Sequence, residues 1–126
     1  MLTGAILAGG KSRRYGRNKA FELFQGKRMI DGVVESLRPL CDPVMVVAND
    51  LSLYLDVRAT LIQDFILDQG PLVGVYTALL FSPNDWVFVK ATDMPVLVPD
   101  VVEMMVAASD GFDAVVPICE GKYEPL

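Results

Sequence analysis

The chain has no histidine and very little cysteine. Histidine is a common metal ligand and general base, so its absence excludes His-ligated metal centres and Ser-His-Asp triads. The two cysteines, Cys41 and Cys119, are far apart and form no Cys-x-x-Cys pair, which argues against a zinc site and a disulfide framework. We therefore interpret both as structural thiols of a cytoplasmic protein.

Long hydrophobic runs are also missing. The longest apolar stretch, 72–81, is interrupted by Gly74 and Thr77, whereas a membrane-spanning helix needs about 20 apolar residues. The apolar run at 5–8 is too short for a signal peptide, and basic residues follow it. The sequence thus predicts no membrane association. A length of 126 residues with 52% apolar and 21% charged residues predicts one globular domain over 1–126.

Acidic residues are absent from the first part of the chain. No acid precedes Glu22, and five of the eleven basic residues fall within 11–19. The net charge of −5 argues against a nucleic-acid-binding surface. An acidic protein with one dense basic segment is typical of a site that binds an anion at one place.

Short β-branched runs alternate with segments of helical periodicity, which indicates an α/β domain with a mostly parallel sheet. The predicted strands are 3–8, 21–24, 44–48, 61–63, 86–91 and 114–118, and the predicted helices are 28–37, 72–81 and 101–108. In such sheets, ligands bind outside the carboxyl ends of the strands. The segments expected there are 9–19, 49–50, 68–74 and 92–95.

The basic segment after the first strand is suited to phosphate. Gly9 and Gly10 let backbone N–H groups face an anion, and Lys19 could reach a phosphate as a point charge. A Walker A loop is not supported, because its first glycine would fall at Ala5, and no G-x-G-x-x-G is present. A solvated surface loop remains the alternative at this point.

An acid follows the strand at 86–91. A carboxylate at Asp93 would stand where a divalent cation could bridge protein and phosphates, although a turn-forming Asp is the alternative. The segments 68–74 and 49–50 are likewise open to a structural interpretation, as a helix start and a strand-end turn.

Taken in order, these segments resemble the molybdenum cofactor guanylyltransferase family, within the nucleotide-diphospho-sugar transferase-like group. The first four family elements are L-A-G-G at 7–10, S-x-R at 12–14, G at Gly16 and D-K-A at 18–20. The other four are N at Asn49, D-x-G-P-L-x-G at 68–74, C-D-M-P at 92–95 and G-[RK]-x-x-P-L at 121–126. Each element alone is weak, but the ordered set spans nearly the whole chain.

The resemblance implies a three-layer, Rossmann-like α/β/α fold with a mostly parallel sheet. It implies transfer of GMP from GTP to molybdopterin, with release of pyrophosphate. The implied catalytic residues are Arg13, Lys19 and Asp93, of which Asp93 would bind Mg²⁺. The implied nucleotide-binding residues are Leu7, Ala8, Gly9, Gly10, Lys19, Asn49, Asp68, Gly70, Pro71 and Leu72. The implied partners are other molybdenum-cofactor biosynthesis proteins and apo-molybdoenzymes.

The chemistry of nucleotidyl transfer agrees with this resemblance. Nucleotidyl transfer requires positioning and charge neutralisation at the α-phosphate, and the attacking phosphate is already ionised at neutral pH. No protein base is then needed, so the lack of histidine is no obstacle.

Three departures from the family pattern are visible. Asn18 replaces the Asp of D-K-A, Thr92 replaces a Cys, and the chain stops at Leu126, where family members continue. We therefore expect a chain truncated at its C-terminus that lacks much of the acceptor side. The alternatives are a related cytidylyltransferase and a non-catalytic nucleotide-binding fragment, and Gly9 favours guanine over cytosine because cytidylyl relatives read L-A-A-G.

Overall fold

The computed structural model describes residues 1–8, 19–64, 71–92, 97–119 and 121–123, which fall into two units, Met1–Val96 and Leu97–Leu126. The strands are β1 Leu2–Leu7, β2 Leu23–Phe24, β3 Lys27–Arg28, β4 Val44–Ala48, β5 Thr60–Gln63, β6 Trp86–Ala91, β7 Ile118–Cys119 and β8 Lys122–Tyr123. The α-helices are α1 Met29–Leu37, α2 Pro71–Phe81 and α3 Pro99–Ala107. Two short 3-10 helices cover Lys19–Phe21 and Leu51–Tyr54.

The first unit is built on a parallel sheet with the strand order β5-β4-β1-β6. In this sheet β1 pairs with β4 on one side and with β6 on the other, all in parallel. All five residues of β4 are buried, as expected for a strand covered on both faces. The predicted parallel sheet is thereby confirmed.

The two faces of the sheet are covered by different helices. Ala5 of β1 and Met45 of β4 form one cluster with Ala78 of α2. Successive residues of a strand face opposite sides of the sheet, so a Cβ at Gly4 would point to the other face. It would lie 3.3 Å from Leu37 Cδ1 of α1. The helices α1 and α2 therefore lie on opposite faces, and the unit has the three layers that the sequence predicts.

A polar network closes the amino end of the sheet. Thr3 is fully buried in β1, and its hydroxyl oxygen accepts hydrogen bonds from Ser82 Oγ at 2.8 Å and from Asn84 Nδ2 at 2.9 Å. Asn84 Nδ2 also donates to the Asp42 carbonyl at 2.9 Å. These bonds join the residues between α2 and β6 to β1, which fixes where β6 enters the sheet.

The second unit contains α3 and a short hairpin. Pro99 lies in the first turn of α3, where its missing N–H breaks no helical hydrogen bond. The strand predicted over 114–118 is wrong. Residues 114–117 have no regular structure, and only Ile118–Cys119 forms a strand, antiparallel to Lys122–Tyr123. A strand needs a partner for its backbone groups, and Pro117 has no N–H to offer one.

None of the helices in the described part of the chain is long and apolar enough to cross a membrane.

Candidate functional site

The carboxyl ends of the four parallel strands lie at one edge of the sheet. Leu7 is in register with Val47 of β4 and with Ala91 of β6, and Ala48 is in register with Gln63 of β5. The residues that follow these strands are therefore brought together, as the sequence predicts for a parallel sheet. We call this the carboxyl edge, and it consists of Leu7, Ala8, Asn49, Asp64 and Thr92.

The predicted nucleotide-binding residues Leu7 and Ala8 lie at the centre of the carboxyl edge. Ala8 is buried, and its N–H donates to the Val47 carbonyl at 2.9 Å, which continues the sheet by one residue. Leu7 is half-buried and lies directly below the first turns of α2. A Cβ at Gly74 would be 3.0 Å from Leu7 Cδ2, so the last glycine of the 68–74 motif permits this close approach.

Asn49 follows β4 at the same edge and is half-buried. Its carbonyl accepts a hydrogen bond of 3.4 Å from Gln63 Nε2, which ties it to the end of β5. The next residue, Asp50, caps the 3-10 helix Leu51–Tyr54, because its carboxylate accepts from the Ser52 N–H at 3.0 Å. Asp50 thus has a structural role, which leaves Asn49 as the candidate for ligand contact.

Asp64 follows β5 and was not singled out by the sequence. Its N–H donates to the Ala48 carbonyl at 3.0 Å, which holds it at the carboxyl edge. Its Oδ1 atom is buried and has no hydrogen-bond partner among the described residues. Desolvation by burial raises the pKa of the Asp64 carboxyl above its ordinary value. A buried carboxylate oxygen without a donor is the pattern expected where a ligand supplies the donor.

The strand β6 ends in two buried polar residues. Lys90 is 6% exposed and Thr92 is 3% exposed. Thr92 stands where the family resemblance has a cysteine, and because it is buried, the exchange changes the packing at this position. Lys90 lies in β6, Thr92 directly follows the strand, and Asp93 is the next residue in the sequence.

Several predicted site residues lie outside the described residues. These are Gly9, Gly10, Arg13, Asp68, Gly70 and Asp93. For two others only the backbone is described: Lys19 begins a 3-10 helix and Pro71 begins α2. The roles predicted for all eight stay predictions.

Leu72, also a predicted nucleotide-binding residue, is 78% exposed. Tyr76, one helical turn later, is exposed as well, so both lie on the outer face of α2. The side chain of Leu72 is thus directed away from the helix face that packs on the sheet. The role predicted for Leu72 stays a prediction.

Carboxylates do not gather into a larger cluster in the described segments. Within residues 1–8, 19–64, 71–92, 97–119 and 121–123, no group of three or more His, Cys, Asp or Glu side chains could hold a metal ion. Mg²⁺ is commonly bound by one or two protein carboxylates, with phosphates and water completing its shell. The carboxyl edge contains Asp64, and Asp93 follows Thr92 of this edge in the sequence. These two carboxylates are compatible with a Mg²⁺ site of that type.

Comparison with known sequences gives a consistent picture. The sequence model of the MobA-like NTP transferase domain family matches residues 4–126. A curated relative from Desulfosudis oleivorans, named molybdenum cofactor guanylyltransferase, is 39% identical over 99% of this chain. The match covers 63% of that relative, so the chain spans less than two thirds of its length.

Comparison with solved structures supports the same fold. The crystal structure of molybdopterin-guanine dinucleotide biosynthesis protein A from Archaeoglobus fulgidus is 30% identical, with a TM-score of 0.77 over 98% of this chain and 64% of that one. A CMP:2-keto-3-deoxy-manno-octonic acid synthetase structure reaches a TM-score of 0.73 at 21% identity, over 91% of this chain and 49% of that one. The second likeness concerns the fold alone. The predicted nucleotide-diphospho-sugar transferase-like fold is confirmed.

Proposed function

Because this chain belongs to the MobA-like NTP transferase domain family, we propose that its protein transfers GMP from GTP to molybdopterin. The products are pyrophosphate and the molybdopterin guanine dinucleotide. The observation that carries the proposal is the carboxyl edge of the sheet, where Asn49 follows β4, the neighbour of β1, and the unpartnered Oδ1 of Asp64 follows β5, the next strand. A Cβ at Gly74 would lie 3.0 Å from Leu7 Cδ2 and 3.6 Å from that Oδ1 atom, so Leu7 and Asp64 face the same part of α2. The names of the similar proteins from Desulfosudis oleivorans and Archaeoglobus fulgidus support the same reaction.

The reaction is a substitution at the α-phosphate of GTP. A phosphate oxygen of molybdopterin forms a bond to the α-phosphorus, and the bond from that phosphorus to the oxygen bridging to the β-phosphate breaks. The bonding electrons leave with pyrophosphate. The attacking oxygen is already ionised, so the chain needs to position the two substrates and neutralise charge, without a covalent protein intermediate.

We assign the triphosphate to the basic segment 9–19. Its glycines would present backbone N–H groups, and Arg13 and Lys19 would supply positive charge. Leu7 and Ala8 end the central strand from which this segment starts. The segment therefore begins at the middle of the carboxyl edge, where a parallel sheet binds its ligands.

We assign the guanosine part to the neighbouring strand ends. Guanine carries N–H donors and ribose carries hydroxyl donors, and an unpartnered carboxylate oxygen is the acceptor such donors require. Asp64 meets this requirement among the described residues, and Asn49 lies beside it through its link to Gln63. We thus place Asp64 in the role for which the sequence suggested Asp68.

We assign Mg²⁺ to Asp93, which comes two positions after the last residue of β6 in the sequence. When bound, Mg²⁺ supplies the positive charge that stabilises the α-phosphate and the leaving pyrophosphate. The carboxylate and phosphate oxygens available there are the hard donors that this cation prefers. We further propose a cytoplasmic location for the reaction, together with other molybdenum-cofactor biosynthesis proteins and apo-molybdoenzymes as partners.

A nucleotide panel tests the base and the metal together. We expect GTP with Mg²⁺ to raise the melting temperature of the full-length protein more than CTP with Mg²⁺ does, because a ligand that binds the folded state stabilises it. The Asp93→Ala variant should keep its melting temperature without nucleotide and lose the part of the GTP shift that depends on Mg²⁺. Equal shifts for GTP and CTP would contradict the guanine assignment, and an unchanged Asp93→Ala response would remove Asp93 from the metal role.

A further inference from the structure

An aromatic–arginine cluster lies beside the carboxyl edge. Phe21 stacks on Tyr54, with ring centroids 5.2 Å apart and planes inclined by 27°. The guanidinium carbon of Arg28 lies 5.5 Å from the centroid of the Phe21 ring, within the range of a cation–π interaction. We call Phe21, Arg28 and Tyr54, with the carboxylates of Asp31 and Asp56, the Phe21 cluster.

Two carboxylates fix the arginine of the Phe21 cluster. Asp31 accepts two hydrogen bonds from Arg28, from Nε at 2.7 Å and from the second terminal nitrogen at 3.1 Å. Asp56 lies 3.2 Å from its first terminal nitrogen. The bond to Asp31 is the main cause that raises the pKa of Arg28 above its already high ordinary value. These contacts to two carboxylates hold the guanidinium at the Phe21 ring.

The Phe21 cluster joins two chain segments that come from different strand ends. Phe21 is the last residue of the 3-10 helix that begins at Lys19, the last residue of the basic segment. Tyr54, 1% exposed, is the last residue of the 3-10 helix that follows Asn49. The cluster therefore ties the end of the segment after β1 to the segment after β4. Ala20, which lies between Lys19 and Phe21 in the sequence, is fully buried.

We propose that Phe21 is a positioning residue for GTP binding, which acts by fixing the backbone at Lys19 through its contacts with Tyr54 and Arg28. This inference rests on the proposed function, because it requires that Lys19 contact the triphosphate. Only Ala20 separates Lys19 from Phe21 in their shared 3-10 helix, so a ring held in a stack leaves the backbone at Lys19 little freedom. Loss of the stack weakens triphosphate binding through Lys19 and not through an independent contact.

A double-mutant cycle on GTP affinity tests this proposal. The dissociation constant for GTP with Mg²⁺ is measured by calorimetry for the full-length protein, for Phe21→Ala, for Lys19→Ala and for the double variant. We expect Phe21→Ala alone to weaken binding about 2- to 10-fold, which corresponds to a typical aromatic contact. In the Lys19→Ala background the same change should weaken binding less than about 2-fold, because the residue through which it acts is gone.

Two further variants separate positioning from general destabilisation. Phe21→Tyr keeps the stacked ring and should retain the affinity of the unmodified protein, whereas Phe21→Leu keeps apolar volume without the ring and should weaken binding as Phe21→Ala does. Glu35→Gln is the matched control, because it removes the exposed ion pair between Lys27 and Glu35 on the same hairpin and helix. We expect Glu35→Gln to leave the GTP affinity unchanged.

The outcomes distinguish this inference from the function on which it rests. Absence of GTP binding by the unmodified protein overturns the proposed function. Binding by the unmodified protein with equal effects of Phe21→Ala in both backgrounds overturns the positioning role alone. If Phe21→Ala does not fold, the same comparison is made with Phe21→Leu, and an affinity of that variant equal to the unmodified protein's also overturns it.

Discussion

The Asp64 carboxylate should destabilise the protein in the absence of nucleotide. Its Oδ1 atom is buried without a partner among the described residues, and burial raises the pKa of the carboxyl. The folded protein therefore disfavours the ionised form of this group relative to the unfolded chain. The Asp64→Asn variant keeps the size of the side chain and removes the charge. We therefore expect this variant to be more stable than the unmodified protein at pH 7.

The size of the effect follows from the environment of the side chain. A buried polar atom without a partner costs roughly 1–3 kcal/mol, and more when it is charged, so exchanging the carboxylate for a neutral amide recovers part of this cost. Asp64 is half-buried, so contact of the rest of the side chain with water reduces the cost, and we expect about 1 kcal/mol. For a chain of this length, that corresponds to an increase in the melting temperature of about 3–5 °C.

The effect should depend on pH with a definite sign. The ordinary pKa of an Asp carboxyl is 3.8, and the pKa of Asp64 in the folded protein is higher. The folded protein therefore binds the proton more tightly than the unfolded chain, and its stability falls as the pH rises through the folded pKa. Below pH 3.8 both states are protonated and the penalty is absent. The stability advantage of Asp64→Asn should thus be present at pH 7 and shrink as the pH falls toward 3.8.

Urea unfolding followed by circular dichroism, between pH 4 and pH 8, measures this difference. The same variant should bind GTP more weakly, because an amide offers the nucleoside a poorer acceptor than a carboxylate does. Asp85→Asn makes the same exchange at an exposed position and is the control, which should leave the stability at pH 7 unchanged. A variant Asp64→Asn that is less stable at pH 7, or whose advantage is the same at all pH values, would refute the reasoning.

Two changes away from the site test the packing of the sheet. Gly4→Ala should lower stability by about 1–3 kcal/mol, because the new Cβ would lie 3.0 Å from Cys41 Cβ and 3.1 Å from its Sγ in a closely packed layer. Thermal unfolding measures this loss of stability. An unchanged melting temperature would contradict the packing of β1 against α1. Thr3→Val should cost about 1–3 kcal/mol, because it removes the acceptor for Asn84 Nδ2 at a fully buried position. Asn84→Ala in the Thr3→Val background should then cost less than it does alone, and additive losses would contradict the network.

The strands and helices of the first unit were predictable because their patterns are local. The strands β4 and β6 were predicted with their observed bounds, and α1 and α2 within one residue. A continuous apolar run identifies a strand that is covered on both faces, and helical spacing identifies the buried stripe of a helix. The run at 114–118 shows the limit of this reasoning, since an apolar run does not reveal whether a neighbouring strand is available to pair with it.

The site was predictable where it depends on the parallel sheet and not where it depends on a side chain's environment. The rule that ligands bind at the carboxyl ends of strands indicates the segment at 49–50, and the family resemblance implies Leu7 and Ala8; the structure places Leu7, Ala8 and Asn49 at this edge. Asp64 was not identified from the sequence, because the short strand β5 carries a weak pattern. An acid directly after a strand is the signal that could identify it as a candidate, and the role predicted for Asp68 stays a prediction.

The contacts of the Phe21 cluster were beyond sequence reasoning for a different reason. Phe21 and Tyr54 are separated by more than thirty positions, and Arg28 and Asp56 are nearly as far apart. No periodicity or motif relates residues at such distances, because the contacts arise only when the segments after β1 and β4 meet. The burial of Asp64 Oδ1 is likewise a property of the packed sheet and helix.

Transfer of labelled GMP tests the central claim most directly. The full-length protein is incubated with molybdopterin, Mg²⁺ and GTP labelled at the α-phosphate, and the products are separated. The account predicts that the label appears in a molybdopterin dinucleotide in an amount equal to the pyrophosphate released, and that CTP is a poorer donor than GTP. Release of pyrophosphate without labelled dinucleotide, or preferential transfer from CTP, would contradict it.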